Sequence, residues 1–296
     1  MTSETATAGL VAGPADLPPV VAVALAAPEP GTAGMVEVAD VGWPILIWGH
    51  AGDPPLLLVH GVTSNAGIWW RVAPALAAAG RRVVAVDMPG HGRAHHRQRS
   101  HLFADTAAEL ARFIRAAGLD RPDLAVVGHS WGGMVSAHLP AAGLAPAKLI
   151  LLDPPVLTHA RMVALTEQPT ERTYDTIEEA TTAVRAANPG WSDGDVAAKA
   201  RALTEFDTDF VLAVLRGNGD WDGGMAALRH ANAARSSVWL IRGEFPTGGL
   251  IPDFKVAAIE RQLGADHVIT IAGGPHSPQR THPEATVLAL LRALAG

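Results

Sequence analysis

One stretch of this chain has the residue types and spacing for covalent chemistry: Gly128-His129-Ser130-Trp131-Gly132-Gly133, directly after the apolar run Leu124–Val127. A serine hydroxyl is a weak nucleophile until it is held clear of the backbone beside a base. Gly-X-Ser-X-Gly between a strand and a helix provides that tight turn, because Gly128 and Gly132 leave space where side chains would collide. Residues 134–139 have helical character, so the first free N–H groups of that helix aim back at Ser130 and favour developing negative charge. Ser130 is the candidate nucleophile. The chain has 13 histidines to supply a base and no cysteine, which excludes a thiolate nucleophile, disulfides and thiolate metal sites.

The elements around that stretch alternate. Opening strands are expected at 35–41 and 44–48 with a turn around Gly42. Continuous apolar runs at 56–59, 83–86, 124–127, 148–152, 238–241 and 267–271 read as strands buried on both faces. Helical segments are predicted over 69–79, closed by Gly80, over 102–117, closed by Gly118, and over 284–294. Strands alternating with helices imply an α/β fold with a mostly parallel sheet covered by crossover helices. Sites in such sheets lie beyond the carboxyl ends of the strands, so the polar or Gly-rich clusters after each strand converge on one side. The long interval between the strands at 148–152 and 238–241 carries capping-box signals at Thr176-Ile177-Glu178-Glu179 and Ser192-Asp193-Gly194-Asp195. Helices are predicted there over 175–187, 193–203 and 207–215. The expected organisation is a flexible lead-in over 1–34, a core over 35–156 and 236–296, and a helical cap over 157–235.

A chain of 296 residues with 48% hydrophobic and 18% charged residues can bury a large core. Its net charge of −6 supplies no basic surplus for nucleic acid or an anionic membrane. No apolar run approaches the roughly 20 residues of a membrane span. The first residues carry Glu4 and Asp16, with no Lys or Arg ahead of the apolar 20–27 run, so a signal peptide's basic start is missing and a cytoplasmic location is expected.

Together, His60-Gly61, Asp87-Met88-Pro89-Gly90-His91-Gly92, the Ser130 motif and Gly274-Pro275-His276-Ser277 resemble an α/β-hydrolase, in that family's order and over about residues 35 to 296. The resemblance implies a Ser–acid–His core with a helical cap inserted after the sixth strand, here 148–152. It implies His276 as the base and, as oxyanion-hole donors, the backbone N–H groups of Trp131 and Val62. The family's usual acid falls three residues after the glycine closing the seventh strand, and that position is Pro246, which cannot serve. Two carboxylates stay open: Asp153, closing the sixth strand, and Glu244, beside Gly243. No cofactor or metal is implied.

Other features read more plainly. His95, His96 and His101 beside three arginines form a solvated loop before they form a metal site. The Asp87–Gly92 segment is a scaffold turn, and Trp69 and Trp70 are core. Trp131 is a pocket-wall candidate by adjacency, and Trp191 and Trp221 are further ones in the cap. The expected activity is hydrolysis of a carboxylic ester or lactone, with a small-molecule, partly apolar acyl compound as substrate. Carbon–carbon bond hydrolysis or acyl transfer on the same triad is the alternative, and a non-catalytic ligand-binding protein on the same fold is the rival of another class.

Overall fold

A computed structural model of the chain describes residues 9–94, 100–167, 171–230 and 236–296. Eight strands form one sheet: β1 (Thr32–Val38), β2 (Val41–Trp48), β3 (Pro55–Val59), β4 (Arg82–Val86), β5 (Ala125–His129), β6 (Lys148–Leu152), β9 (Ser237–Arg242) and β10 (Val268–Thr270). Their spatial order is β1-β2-β4-β3-β5-β6-β9-β10. β2 is antiparallel to both of its neighbours, and every pair from β4 to β10 is parallel. The period of two along β3 sorts its side chains between the faces: Leu57 and Val59 join one core, Leu56 and Leu58 the other.

The first core is covered by α3 (Phe103–Ala116) and α4 (Trp131–Ala137), the second by α1 (Pro19–Ala26), α2 (Val72–Ala78) and α12 (Pro283–Ala295). Helix α10 (Asp253–Leu263) links β9 to β10, and the short α11 (Pro278–Thr281) precedes α12. Between β6 and β9 lies an insertion whose described residues form five helices: α5 (His159–Leu165), α6 (Ile177–Ala187), α7 (Asp193–Leu203), α8 (Thr208–Gly217) and α9 (Met225–His230). The two-residue strands β7 (Val156–Leu157) and β8 (Trp221–Asp222) pair at its base. Both predicted N-caps form, Thr176 Oγ1 accepting from the Glu179 N–H and Ser192 Oγ from the Asp195 N–H, and Asp207 Oδ1 caps α8 in the same way by accepting from the Phe210 N–H. The Asp207 N–H also donates to the Gly90 carbonyl at 2.8 Å, tying α8 to the loop after β4.

Two expectations are corrected. Residues 1–34 are not wholly a free lead-in. Residues 1–8 lie outside the described residues, but α1 is a formed helix whose Val21 and Leu25 are buried in the second core, and β1 already begins at Thr32. The Ala, Gly, Pro and Thr content suited a loose tail, yet Pro19 at the helix start and the apolar side chains of α1 supply both initiation and docking. The opening hairpin turns at Ala39-Asp40, both with positive φ, and not at Gly42. Val38 pairs directly with Val41, leaving a two-residue turn whose twist suits the flanking strands. Gly42 instead sits inside β2, where a Cβ would approach Met35 Sδ to 2.9 Å. Among the described residues, no helix is long and apolar enough to cross a membrane.

Candidate active site

Ser130 caps β5 and α4 with φ 55° and ψ −122°, a strained backbone for a residue with a side chain. Packing leaves the turn no alternative. A Cβ on Gly128 would meet the Gly132 carbonyl oxygen at 2.4 Å, and one on Gly132 would meet the His60 and Val59 carbonyl oxygens at 2.5 and 2.6 Å. The Ser130 N–H donates to the Leu152 carbonyl at 2.9 Å, locking the elbow to β6. Among the described residues, five non-glycine positions have positive φ. Two make the β1–β2 turn, and the other three, Thr63, Ser130 and Asp153, meet at this site.

His276 Nε2 lies 3.0 Å from Ser130 Oγ, and its Nδ1 lies 2.7 Å from Asp153 Oδ2. An ionised carboxylate can only accept, so Nδ1 carries the proton and Nε2 is left to accept from the serine hydroxyl. Asp153 is fully buried, with φ 43°. It also takes the Gly243 N–H on Oδ1 at 3.1 Å and the Leu250 N–H on Oδ2 at 3.0 Å, so its orientation does not depend on the histidine. Glu244 caps the short turn Phe245–Thr247, and no hydrogen bond joins its carboxylate to His276. Of the two carboxylates left open by the sequence, Asp153 is the one joined to the histidine.

The Trp131 N–H opens α4, and Val62 follows His60-Gly61 at the end of β3. Among the described residues, neither backbone N–H donates to a protein acceptor. Gly61 permits the approach of this loop, because a Cβ there would stand 3.0 Å from Ser130 Cβ. The loop is braced from behind by the buried His60, whose Nε2 accepts the Met88 N–H at 3.0 Å. Asp87 likewise accepts the Ala66 and Arg93 N–H groups, as suits a scaffold turn.

These groups open into a cavity of about 460 Å³, walled on one side by the Gly61–Ser64 loop, Ser130 and His276, and on the other by the insertion. That size suits a small-molecule site. Met162, Leu165, Val211 and Leu215 give it an apolar wall, and Trp191 and Trp221 line it as well. Trp131 does not. Its indole is fully buried, with ring centroids 5.1 Å from His91 and 6.2 Å from Phe210, because α4 turns that face of its first residue toward the core.

Sequence reading passed over four further residues. His129 donates from Nε2 to the His276 carbonyl at 2.9 Å and packs beside the His276 ring, tilted by 33° with centroids 4.9 Å apart. Burial, then the neighbouring His276, keep its pKa well below 6.5, so it holds the histidine loop as a neutral donor. Lys199, on α7, donates to the Thr63 carbonyl and hydroxyl at 3.0 Å each and to Glu171 Oε2 at 2.6 Å. Glu171 also accepts from the Thr63 hydroxyl. Arg280, on α11, reaches the same cavity and stacks over Trp191 with its guanidinium carbon 4.5 Å from the ring centroid. His129 was visible inside the serine motif. Lys199, Glu171 and Arg280 belong to no motif, and only the fold brings them together. His95 and His96 lie outside the described residues, and among the described ones no three His, Cys, Asp or Glu gather as metal ligands.

Comparison with known proteins places these features in a family. A family profile described as the alpha/beta hydrolase fold matches residues 54–244. Lipase LipV of Mycobacterium tuberculosis is 30% identical over 261 residues, covering 84% of this chain and 96% of that protein. The dihydrolipoyllysine-residue acetyltransferase component of the acetoin cleaving system of Pseudomonas putida is 44% identical over 124 residues, 40% of this chain and 31% of that one. Among solved structures, E-2-(acetamidomethylene)succinate hydrolase superposes with a TM-score of 0.73 at 21% identity, covering 90% of this chain and all of the other. That last likeness concerns the fold alone.

Proposed function

Since the chain belongs to the α/β-hydrolase fold family, we propose that it is a serine hydrolase cleaving a carboxylic ester or lactone through an acyl-enzyme on Ser130, His276 and Asp153. The observation that carries this reading is the unbroken line of hydrogen bonds from Asp153 through His276 to Ser130, opening into the cavity. His276 takes the Ser130 proton as Oγ attacks the acyl carbon and then delivers it to the departing alcohol oxygen. Water, deprotonated in turn by His276, releases the acid and restores the serine. The Val62 and Trp131 N–H groups bind the oxyanion of both tetrahedral intermediates, a donor of this kind being worth about 10²–10³ in rate. Asp153 keeps the proton on Nδ1 and stabilises the imidazolium. Residues 157–235 serve as the cap, whose apolar wall receives the acyl or alcohol part of the substrate. The hydrogen bond from His276 to Asp153, at the end of β6, provides an acid where Pro246 cannot serve, and it favours catalysis over the binding-protein reading.

A fluorophosphonate probe tests the reading. Labelling should fall on Ser130 alone and vanish in both Ser130→Ala and His276→Ala. A folded protein that takes no label and cleaves no ester or lactone would overturn it. Product analysis in isotopically labelled water with an added alcohol or thiol separates hydrolysis from transfer, because transfer puts the acceptor into the product.

A further inference from the structure

The cavity beside Ser130 has an uneven charge. Among its described lining residues, Lys199, Arg172 and Arg280 stand against a single carboxylate, Glu171. Glu171 is engaged by Lys199 and by the Thr63 hydroxyl. The next carboxylate, Asp195, is engaged by Arg71 at 3.7 Å, by the Trp70 indole at 3.1 Å and by Ser192 at 2.6 Å. Arg280 is left over. It is only 6% exposed, yet among the described residues no carboxylate lies within ion-pair distance of it. Among the described residues, its guanidinium has one acceptor, the Asp195 backbone carbonyl at 3.5 Å from Nη1, and its Nε has no partner. Burial draws its pKa down to about 10, opposed by Asp195 and Glu171, so it remains a cation at neutral pH.

A buried guanidinium with unmet donors is costly unless something compensates it. The stacking on Trp191 fixes its plane, and the side chain lines the cavity, where a guanidinium pairs with a carboxylate through charge-assisted hydrogen bonds. We propose that the substrate is an acyl compound bearing a free carboxylate, which docks on Arg280 at the Trp191 side of the cavity while its ester or lactone carbonyl faces Ser130. This rests on the serine-hydrolase reading and narrows it to anionic substrates. Lys199 contributes a second positive charge to the same cavity, already held in place by Glu171.

Matched substrate pairs test it. Mono-4-nitrophenyl glutarate is compared with its methyl-capped diester, which places the charge on the acyl side, and 4-acetoxybenzoate with its methyl ester, which places it on the leaving group. In at least one pair the free acid should lead in kcat/KM by about tenfold to a hundredfold, the scale of a charge-assisted hydrogen bond. That ratio should fall to one or below in Arg280→Met and to an intermediate value in Arg280→Lys, both measured in variants whose Tm shows them folded. Equal or faster cleavage of the methyl esters in both pairs overturns the proposal and leaves the hydrolase reading standing. If no ester is cleaved and no probe labels Ser130, the hydrolase reading is what fails. Calorimetry with glutarate then decides: binding abolished by Arg280→Met supports the carboxylate site, and absence of binding overturns it.

Discussion

Three N–H donors converge on the Asp153 carboxylate, two from the backbone of Gly243 and Leu250 and one from His276. Because only the third concerns chemistry, the two roles of this side chain can be separated. Asp153→Asn should lower kcat by about 10³–10⁴, the scale seen when a triad acid can no longer set the histidine tautomer. Its effect on Tm should follow the backbone bonds and not the loss of rate. Glu244→Gln should leave kcat within about twofold, a surface-type change of little weight. The opposite pattern in ester turnover would move the acid to the end of β9. At this scale Ser130 and His276 were legible because each sits in a short local motif. The acid was not settled by motif, since two carboxylates follow adjacent strands, and only the strained backbone of Asp153 turns one of them inward. Lys199 and Arg280 were illegible for a plainer reason: they are 81 residues apart in a chain with no local signal linking them.

Among the elements, α1 tests how far local composition misleads. The Ala, Gly, Pro and Thr content of the first 34 residues suggested a loose tail, but Leu17, Val21 and Leu25 close the second core over Trp48 and the faces of α2 and α12. Removing residues 1–28 should expose that groove and lower Tm. Leu25→Ala alone should cost about 2–4 kcal/mol, as for a buried leucine whose site cannot fully collapse. Chemical denaturation of both variants checks this, and an unchanged midpoint for the truncated chain would return the segment to the status of a tail. Elements with strong periodicity or paired caps were readable: β6, α7 and α12 fall within a residue of their expected spans. Helices α5 and α9 and the two-residue strands β7 and β8 went unread, since short elements of mixed composition are selected by what they pack on, and α10 went unread because no side chain caps its start. The shift of the first turn from Gly42 to Ala39-Asp40 has the same origin, because strand register outweighed the glycine signal.

For the molecule as a whole, the α/β class was legible because apolar runs of strand length alternate with helical segments, an order that implies a parallel sheet with crossover helices. The same architecture has a consequence for stability that composition does not show. Closing the sheet ends over the loops buries three histidines as neutral rings. His60 has its pKa lowered to about 4, chiefly by burial, with only partial opposition from its bond to the Gly61 carbonyl. His91 falls to about 3, by burial and then by the neighbouring His60. His129 also lies well below 6.5. Below pH 6.5 the unfolded chain binds protons at these positions and the folded chain does not, so acid favours unfolding. The stability is present in full above 6.5 and is lost as pH falls toward the folded values. Each histidine contributes about 1.4 kcal/mol per pH unit, so the three together approach about 4 kcal/mol per unit once the unfolded chain is protonated. Urea midpoints at pH 7, 6 and 5 should therefore fall increasingly steeply. His91→Phe, which keeps a ring between Trp131 and Phe210, should remove about one third of that slope. A midpoint that stays level from pH 7 to 5 would mean that these rings take up protons in the folded state, and the closed packing of the loops after β3, β4 and β5 would have to be given up.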